Sequence, residues 1–338
     1  MSETSEAGAG TLPDPGATLL ADPDIYGNER FAGLPVRSVD EAGWDTGGDT
    51  DGDTGGEPSG RVAWMVTDGT EPGSSRGESD LPRELDELLE NVAPGDVRAL
   101  AVTGYGAVDA PLILAEYAAR LPALTAVFLG FIGIEQWEMS WIGHGDITPV
   151  LEAYPRLERL EVRGSDGLTL RPVTHEHLRV LRFETGGLPG AVVRAVGASD
   201  FPALEHLELW LGSEGYYGDH TMEDLDDVFS GARLPALRRL GLRNSEQQDA
   251  VAAALATAPV VAGLDELSLG QGALTDRGME ALLGGQPLTH LRVLDLRHHF
   301  LSRAMADRVR RALPGVAIDL TGPRFDLSDG RPYITVAE

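Results

Sequence analysis

The chain has 338 residues, 42% of them hydrophobic, and carries 54 acidic against 27 basic side chains for a formal charge of -27 and a pI near 4.5. So acidic a surface repels phosphate backbones and anionic lipid headgroups, which argues against nucleic acid and against a polybasic membrane contact as partners. Cysteine is absent, which removes disulfides, thiolate zinc sites and Cys nucleophiles, and every basic residue is Arg.

Met1 to Leu20 has neither the basic nor the apolar region of a secretory signal, so residues 1–20 are expected to form a disordered tail. No apolar run approaches the roughly 20 residues of a membrane span, and a cytoplasmic location is expected. Residues 21–96 read as an N-terminal cap. Acidity is concentrated in the first 96 residues, which hold 22 acidic and 5 basic side chains. Within them, 45–60 and 68–80 are rich in Gly, Ser, Thr and acid and are expected to be mobile loops. Around these loops, Gly33–Val39 and Arg61–Thr67 have strand character, and Leu81–Val92 repeats apolar residues at helical spacing with Pro82 in the first turn. Asp49 to Asp53 places carboxylates at alternate positions, but Thr54 and Gly60 stand where a calcium loop needs Gly and Glu, so an acidic linker is the better account.

From Val97 the chain repeats a unit of the form Leu-x-x-Leu-x-Leu. Its copies are Val97/Leu100/Val102, Leu124/Val127/Leu129, Leu157/Leu160/Val162, Leu178/Leu181/Phe183, Leu204/Leu207/Leu209, Leu237/Leu240/Leu242, Leu264/Leu267/Leu269 and Leu291/Leu294/Leu296, with a degenerate ninth at Val316–Leu320. Successive middle positions are 27, 33, 21, 26, 33, 27 and 27 residues apart. A period of this size marks a solenoid, and the last two apolar positions, two apart, share one face of a short strand. Amphipathic helical stretches follow most copies: 110–121, 221–229, 246–258, 275–283 and 302–313. The short interval after the third copy, which contains Pro172, leaves little room for a helix.

The unit resembles the ribonuclease-inhibitor-like leucine-rich repeat family, best at Leu291–Leu301 and Leu264–Leu283. Glu138–Ile142, Leu207–Gly218, Leu240–Ser245, His298–Ser302 and Arg331–Glu338 are similar to a group of bacterial cytoplasmic leucine-rich repeat proteins without an established activity. The resemblance implies an α/β fold: a right-handed horseshoe over 97–320, with a parallel concave sheet, convex helices and a C-terminal cap at 321–338. It also implies binding of another protein rather than catalysis. The family often places Asn or Cys three residues after the third apolar position. Here those positions are Tyr105, Ile132, Ser165, Gly186, Gly212, Ser245, Gly272 and His299.

Outward strand positions are the natural partner surface. They read Phe128 and Phe131, Glu161 and Arg163, Arg182 and Glu184, Glu208 and Trp210, Gly241 and Arg243, Ser268 and Gly270, Asp295 and Arg297. The alternating charges can pair as a solvated ladder worth a few tenths of a kcal/mol each. An exposed Trp210 among arginines is the composition of a protein contact. The two longest intervals carry insertions at 131–146 and 211–220, which bring Trp137, Trp141, Tyr216 and Tyr217 to one rim. The expected partner set is therefore Phe128, Phe131, Trp137, Trp141, Arg163, Arg182, Glu208, Trp210, Tyr216, Tyr217, Arg243 and Arg297.

A second reading places a small-molecule or metal-dependent enzyme site between the two insertions, with His144, Asp146, Asp219 and His220 as ligands. The tight spacing of a metal motif is lacking, and so are nucleophile-elbow, phosphate-loop and dinucleotide motifs, so no metal or cofactor is expected. A third reading makes the chain a structural subunit of a larger complex.

Overall fold

The computed structural model describes residues 30–39, 61–69, 79–106, 108–132, 139–325 and 330–336. The acidic loop 45–60, the tail 1–20, most of 68–80, and Trp137 lie outside the described residues.

The chain opens with strands β1 (Arg30–Phe31), β2 (Leu34–Ser38) and β3 (Ala63–Thr67), then helix α1 (Leu81–Asn91). There follow β4 (Ala99–Thr103), α2 (Ala110–Glu116), β5 (Ala126–Leu129), α3 (Thr148–Ala153), β6 (Arg159–Arg163), β7 (Val180–Glu184), α4 (Gly190–Ala198) and β8 (His206–Gly212). The last coils are α5 (Asp226–Ser230), β9 (Arg239–Ser245), α6 (Gln248–Leu255), β10 (Glu266–Ser268), α7 (Asp276–Leu283), β11 (Val293–Asp295), α8 (Arg303–Ala312) and β12 (Ala317–Asp319). Among the described residues twelve strands form one sheet in sequence order, parallel except for the β1–β2 hairpin. This is an α/β fold and a leucine-rich-repeat-like solenoid.

The repeat spacing sets the register. Leu100, Val127, Leu160, Leu181, Leu207, Leu240, Leu267, Leu294 and Ile318 stand directly opposite one another from strand to strand. A one-residue slip would turn every one of these side chains onto the other face, so burying one face locks the pairing. These residues form a single core with Leu114, Val150, Val192, Val228, Val251, Met279 and Val309 of the helices. Residues 164–179 contain no helix.

The helices are short and take their stability from that core. Among the described residues two helices carry a side-chain cap: Thr275 accepts from the Arg277 amide before α7, and Ser302 from the Met305 amide before α8. Among the described residues no helix is long and apolar enough to cross a membrane.

Candidate functional site

The helix-free face of the sheet divides in two. Over β3 to β5 its side chains are Ala63, Ala99, Ala101, Ala126 and Phe128. The small residues make a floor on which Phe31, brought over by the β1–β2 hairpin, packs with Phe128 and Phe131. Ring centroids are 5.6 Å apart for Phe31–Phe128 and 5.1 Å for Phe128–Phe131, both edge-to-face. Phe128 and Phe131 are therefore buried rather than open to a partner.

Beyond β5 the same face becomes a continuous ionic network. Arg163 Nε donates to Glu184 Oε2 at 2.8 Å, and Arg182 Nη2 lies 2.8 Å from Glu184 Oε1. Arg182 also donates to Glu161 Oε2 and to Glu208 Oε1, both at 3.1 Å. Arg243 reaches Glu208 Oε1 at 3.1 Å and sits 3.9 Å from Asp295, which receives Ser268 Oγ at 2.7 Å. Arg297 closes the row with two bonds to Asp295 at 2.9 and 3.0 Å.

These charges are buried: Arg163, Arg182, Glu208 and Arg243 expose no more than 4% of their surface, and Trp210 exposes none. Burial alone would raise the Glu208 carboxyl, but the Arg182 and Arg243 guanidiniums, with His206 beside them, hold it well below the usual carboxylate range. Glu161 is lowered in the same way against its own burial, by Arg182 and Arg159. The expectation of an exposed Trp210 within a solvated charge ladder is thus corrected. The arginines lie across neighbouring strands and pair in place. Met139 of the first insertion and Val336 of the C-terminal segment close over the indole. Of this row Arg297 alone keeps part of its side chain in solvent, 22%.

The insertions are seated on the strand ends by close backbone approach. Gly164, just past β6, lies against Ile142, and a Cβ on Gly187 would fall 2.0 Å from the Tyr216 carbonyl. Met139, reaching Trp210 on β8, brings the first insertion to the strand that feeds the second. Short 3-10 turns at Met139–Trp141 and Glu214–Tyr216 present the aromatics. Trp141 is 47% and Tyr217 64% exposed, while Tyr216 is half-buried. Tyr217 adopts a left-handed backbone, φ 68°.

The would-be metal ligands do not converge. His144 is buried with Nε2 2.7 Å from the Arg163 carbonyl, so the neutral ring donates there, and burial pulls its pKa down to about 4. Asp146 binds the Thr148 amide and hydroxyl. Asp219 caps the Gly190 amide at 2.7 Å, and His220 is buried, its pKa lowered by that burial despite Asp224 and Asp219 nearby. Among the described residues no three His, Asp or Glu side chains are placed to hold a metal ion.

Rim backbone is satisfied by residues other than a regular Asn. Thr185 Oγ1 donates to the Trp210 carbonyl, Gln248 Nε2 to the Leu242 carbonyl, and His299 Nδ1 accepts from the Leu301 amide. His298, just past β11, is buried, with 6% of its surface exposed. With Asn244 and Gln271 it forms a series, each in the left-handed region with φ of 51°, 67° and 52° for 244, 271 and 298. The family's loop position falls one residue later, at 245, 272 and 299. Their spacing of 27 was the available signal.

A scan of protein-family models finds no match, and a search of curated proteins finds none. Among solved structures, a Bacteroides fragilis protein determined by a structural genomics consortium matches with a TM-score of 0.68 and 28% identity, over 75% of this chain and 72% of its own. An internalin from Listeria monocytogenes matches with a TM-score of 0.36 and 14% identity, over 78% of this chain and 68% of its own.

Proposed function

We propose that the protein is a non-catalytic scaffold that holds another protein through the rim of its repeat sheet. In this reading the repeats coil right-handedly into a horseshoe behind an N-terminal cap, as in the bacterial cytoplasmic leucine-rich repeat proteins that the sequence resembles. The observation that carries it is the pair of exposed aromatics, Trp141 and Tyr217, on the two rim insertions. A bulky residue held left-handed costs on the order of 1 kcal/mol, and a ring left mostly in solvent returns little to folding, so Tyr217 is better explained by what it meets outside the molecule. Aromatic side chains concentrate the energy of protein contacts.

Tyr216, partly exposed, extends the second insertion's share of the patch, Trp137 belongs to the first insertion with Trp141, and Arg297, partly exposed past β11, is a further contact position on the outward row. Phe128, Phe131, Arg163, Arg182, Glu208, Trp210 and Arg243 then act as the rigid floor that fixes the rim. A charge of -27 favours a partner whose facing surface is basic around an apolar centre.

Affinity capture from the native host tests the reading, comparing wild type with a Trp141→Ala, Tyr217→Ala double variant. A protein held by wild type and released by the folded variant supports it. If no captured protein distinguishes the two, the rim is not a protein contact, and the enzyme reading at 131–146 and 211–220 takes precedence.

A further inference from the structure

The series Asn244, Gln271 and His298 does one thing in common: each rung holds residues 333–336 of the same chain. His298 Nδ1 accepts from Arg324 Nε at 3.1 Å, which leaves Nε2 protonated to donate to the Tyr333 carbonyl at 3.2 Å. The Tyr333 ring packs edge-on to His298 and Phe300, with centroids 5.6 and 5.3 Å away. The Gln271 main-chain carbonyl accepts from the Thr335 amide at 2.9 Å and from its hydroxyl at 3.2 Å. Asn244 embraces Val336 from both sides, Nδ2 to its carbonyl at 2.6 Å and Oδ1 from its amide at 3.0 Å.

Most of these contacts read main chain. Their spacing also suits any extended peptide: two strand separations are about 9.6 Å, and three residues of extended chain span about 10 Å. A left-handed backbone is ordinarily left to glycine, as at Gly164 and Gly212 of earlier strands. Three successive non-glycine residues there, all engaged with one segment, mark a recognition device. The fit of the present occupant is incomplete, since Gln271 Oε1 is buried without a hydrogen-bond partner. Such an orphaned acceptor is what a ligand with a matching donor would fill.

We propose that Asn244, Gln271 and His298 form a reading face for an extended polypeptide, occupied in cis by residues 330–336, and that the partner of the scaffold inserts a segment in their place, with a donor side chain opposite Gln271. Displacing Val336 removes one of the two side chains packed over Trp210, Met139 being the other, so the same step loosens the cover of the indole. This rests on the scaffold reading above, but its site is distinct from Trp141 and Tyr217.

Hydrogen exchange on the intact chain, wild type against Asn244→Ala, is the first test. The proposal expects the Thr335 and Val336 amides to exchange at least a hundredfold faster than those of β9 and β10, and a further tenfold faster in the variant while the strands keep their protection. Exchange of 335 and 336 only in step with the strands would show a fixed part of the fold and overturn it. The second measurement uses a fluorescent peptide with the sequence of residues 330–336 and a chain lacking them, its folding checked by circular dichroism. Saturable binding that is lost on Asn244→Ala supports the proposal, and a folded truncated chain that ignores the peptide contradicts it. If that chain does not fold, the exchange result decides. A partner captured through the rim while 335 and 336 never open would sink this proposal and leave the scaffold reading standing.

Discussion

Arg243 lies with its guanidinium 5.3 Å from the centre of the Trp210 ring while bonding the same Glu208 oxygen that the Trp210 indole N–H reaches at 2.7 Å. Three donors, from Arg182, Trp210 and Arg243, converge on that oxygen. Removing Glu208 from this buried set leaves Arg182 and Arg243 short of a counter-charge in the interior, which costs far more than the set contributes. Glu208→Ala is therefore expected to destabilise the protein by about 3–5 kcal/mol. Trp210→Phe, which keeps the ring but loses the bond to a charged acceptor, should cost about 1.5–3 kcal/mol. Urea unfolding measures both, and a loss under about 1 kcal/mol for Glu208→Ala would mean the carboxylate is not buried as described.

Stability should fall as pH drops through the histidine range. The His144 pKa is depressed from 6.5 to about 4 by burial, with the Arg163 carbonyl and Asp166 acting weakly in the other direction. Above 6.5 the ring is neutral in both states and its contribution is complete. As pH falls from there towards 4, the unfolded chain binds a proton that the folded chain refuses, and about 3 kcal/mol is lost. His175, His206, His220 and His299 are lowered by burial too and act in the same direction. His144→Gln should flatten the unfolding free energy between pH 7 and 4.5; an unchanged slope would assign the effect to the other four.

A second, lower window belongs to the carboxylates. Glu208 and Glu161 are held below their ordinary value of 4.5, so what they contribute is present above that pH and lost as the medium is acidified through their folded values. Denaturation curves should show the gap between the Glu208→Ala variant and wild type constant above pH 4.5 and narrowing steadily as the pH is taken below it.

Phe31 ties the amino-terminal hairpin to the alanine floor. Phe31→Ala is expected to cost about 3 kcal/mol, since the floor of Ala63, Ala99 and Ala126 cannot expand to fill the space. Differential scanning calorimetry should record a transition several degrees lower, and an unaltered transition would mean the hairpin carries no packing energy.

Tyr217→Gly separates fold from function. Glycine relieves the left-handed backbone, so unfolding free energy should hold or rise by up to about 1 kcal/mol while partner retention falls. A destabilised variant would place the Tyr217 ring in the packing instead.

The sheet was legible because its cause is periodic: a leucine every turn of the solenoid fixes both the strand and its register, down to Leu160 opposite Leu181. Helices α3 and α4 were less legible, the first being six residues long and the second rich in Val, which favours strands until packing overrides it. The outward row was read as open because a repeat pattern says nothing of distant segments folding back. Phe31 and Val336 carry no periodic mark, yet the first covers the alanine floor and the second packs over Trp210. The left-handed series at 244, 271 and 298 was written in the spacing but stood one residue from the family position that was inspected.

The central claim is that the rim around Trp141 and Tyr217 meets a protein. Photo-crosslinking in the native host tests it most directly, with a reactive amino acid placed at Trp141, at Tyr217, or at Leu112, an exposed apolar residue of α2 on the helical side. One discrete crosslinked partner is expected from both 141 and 217 and none from 112. Crosslinks from 112 alone, or none from either rim position, would contradict it.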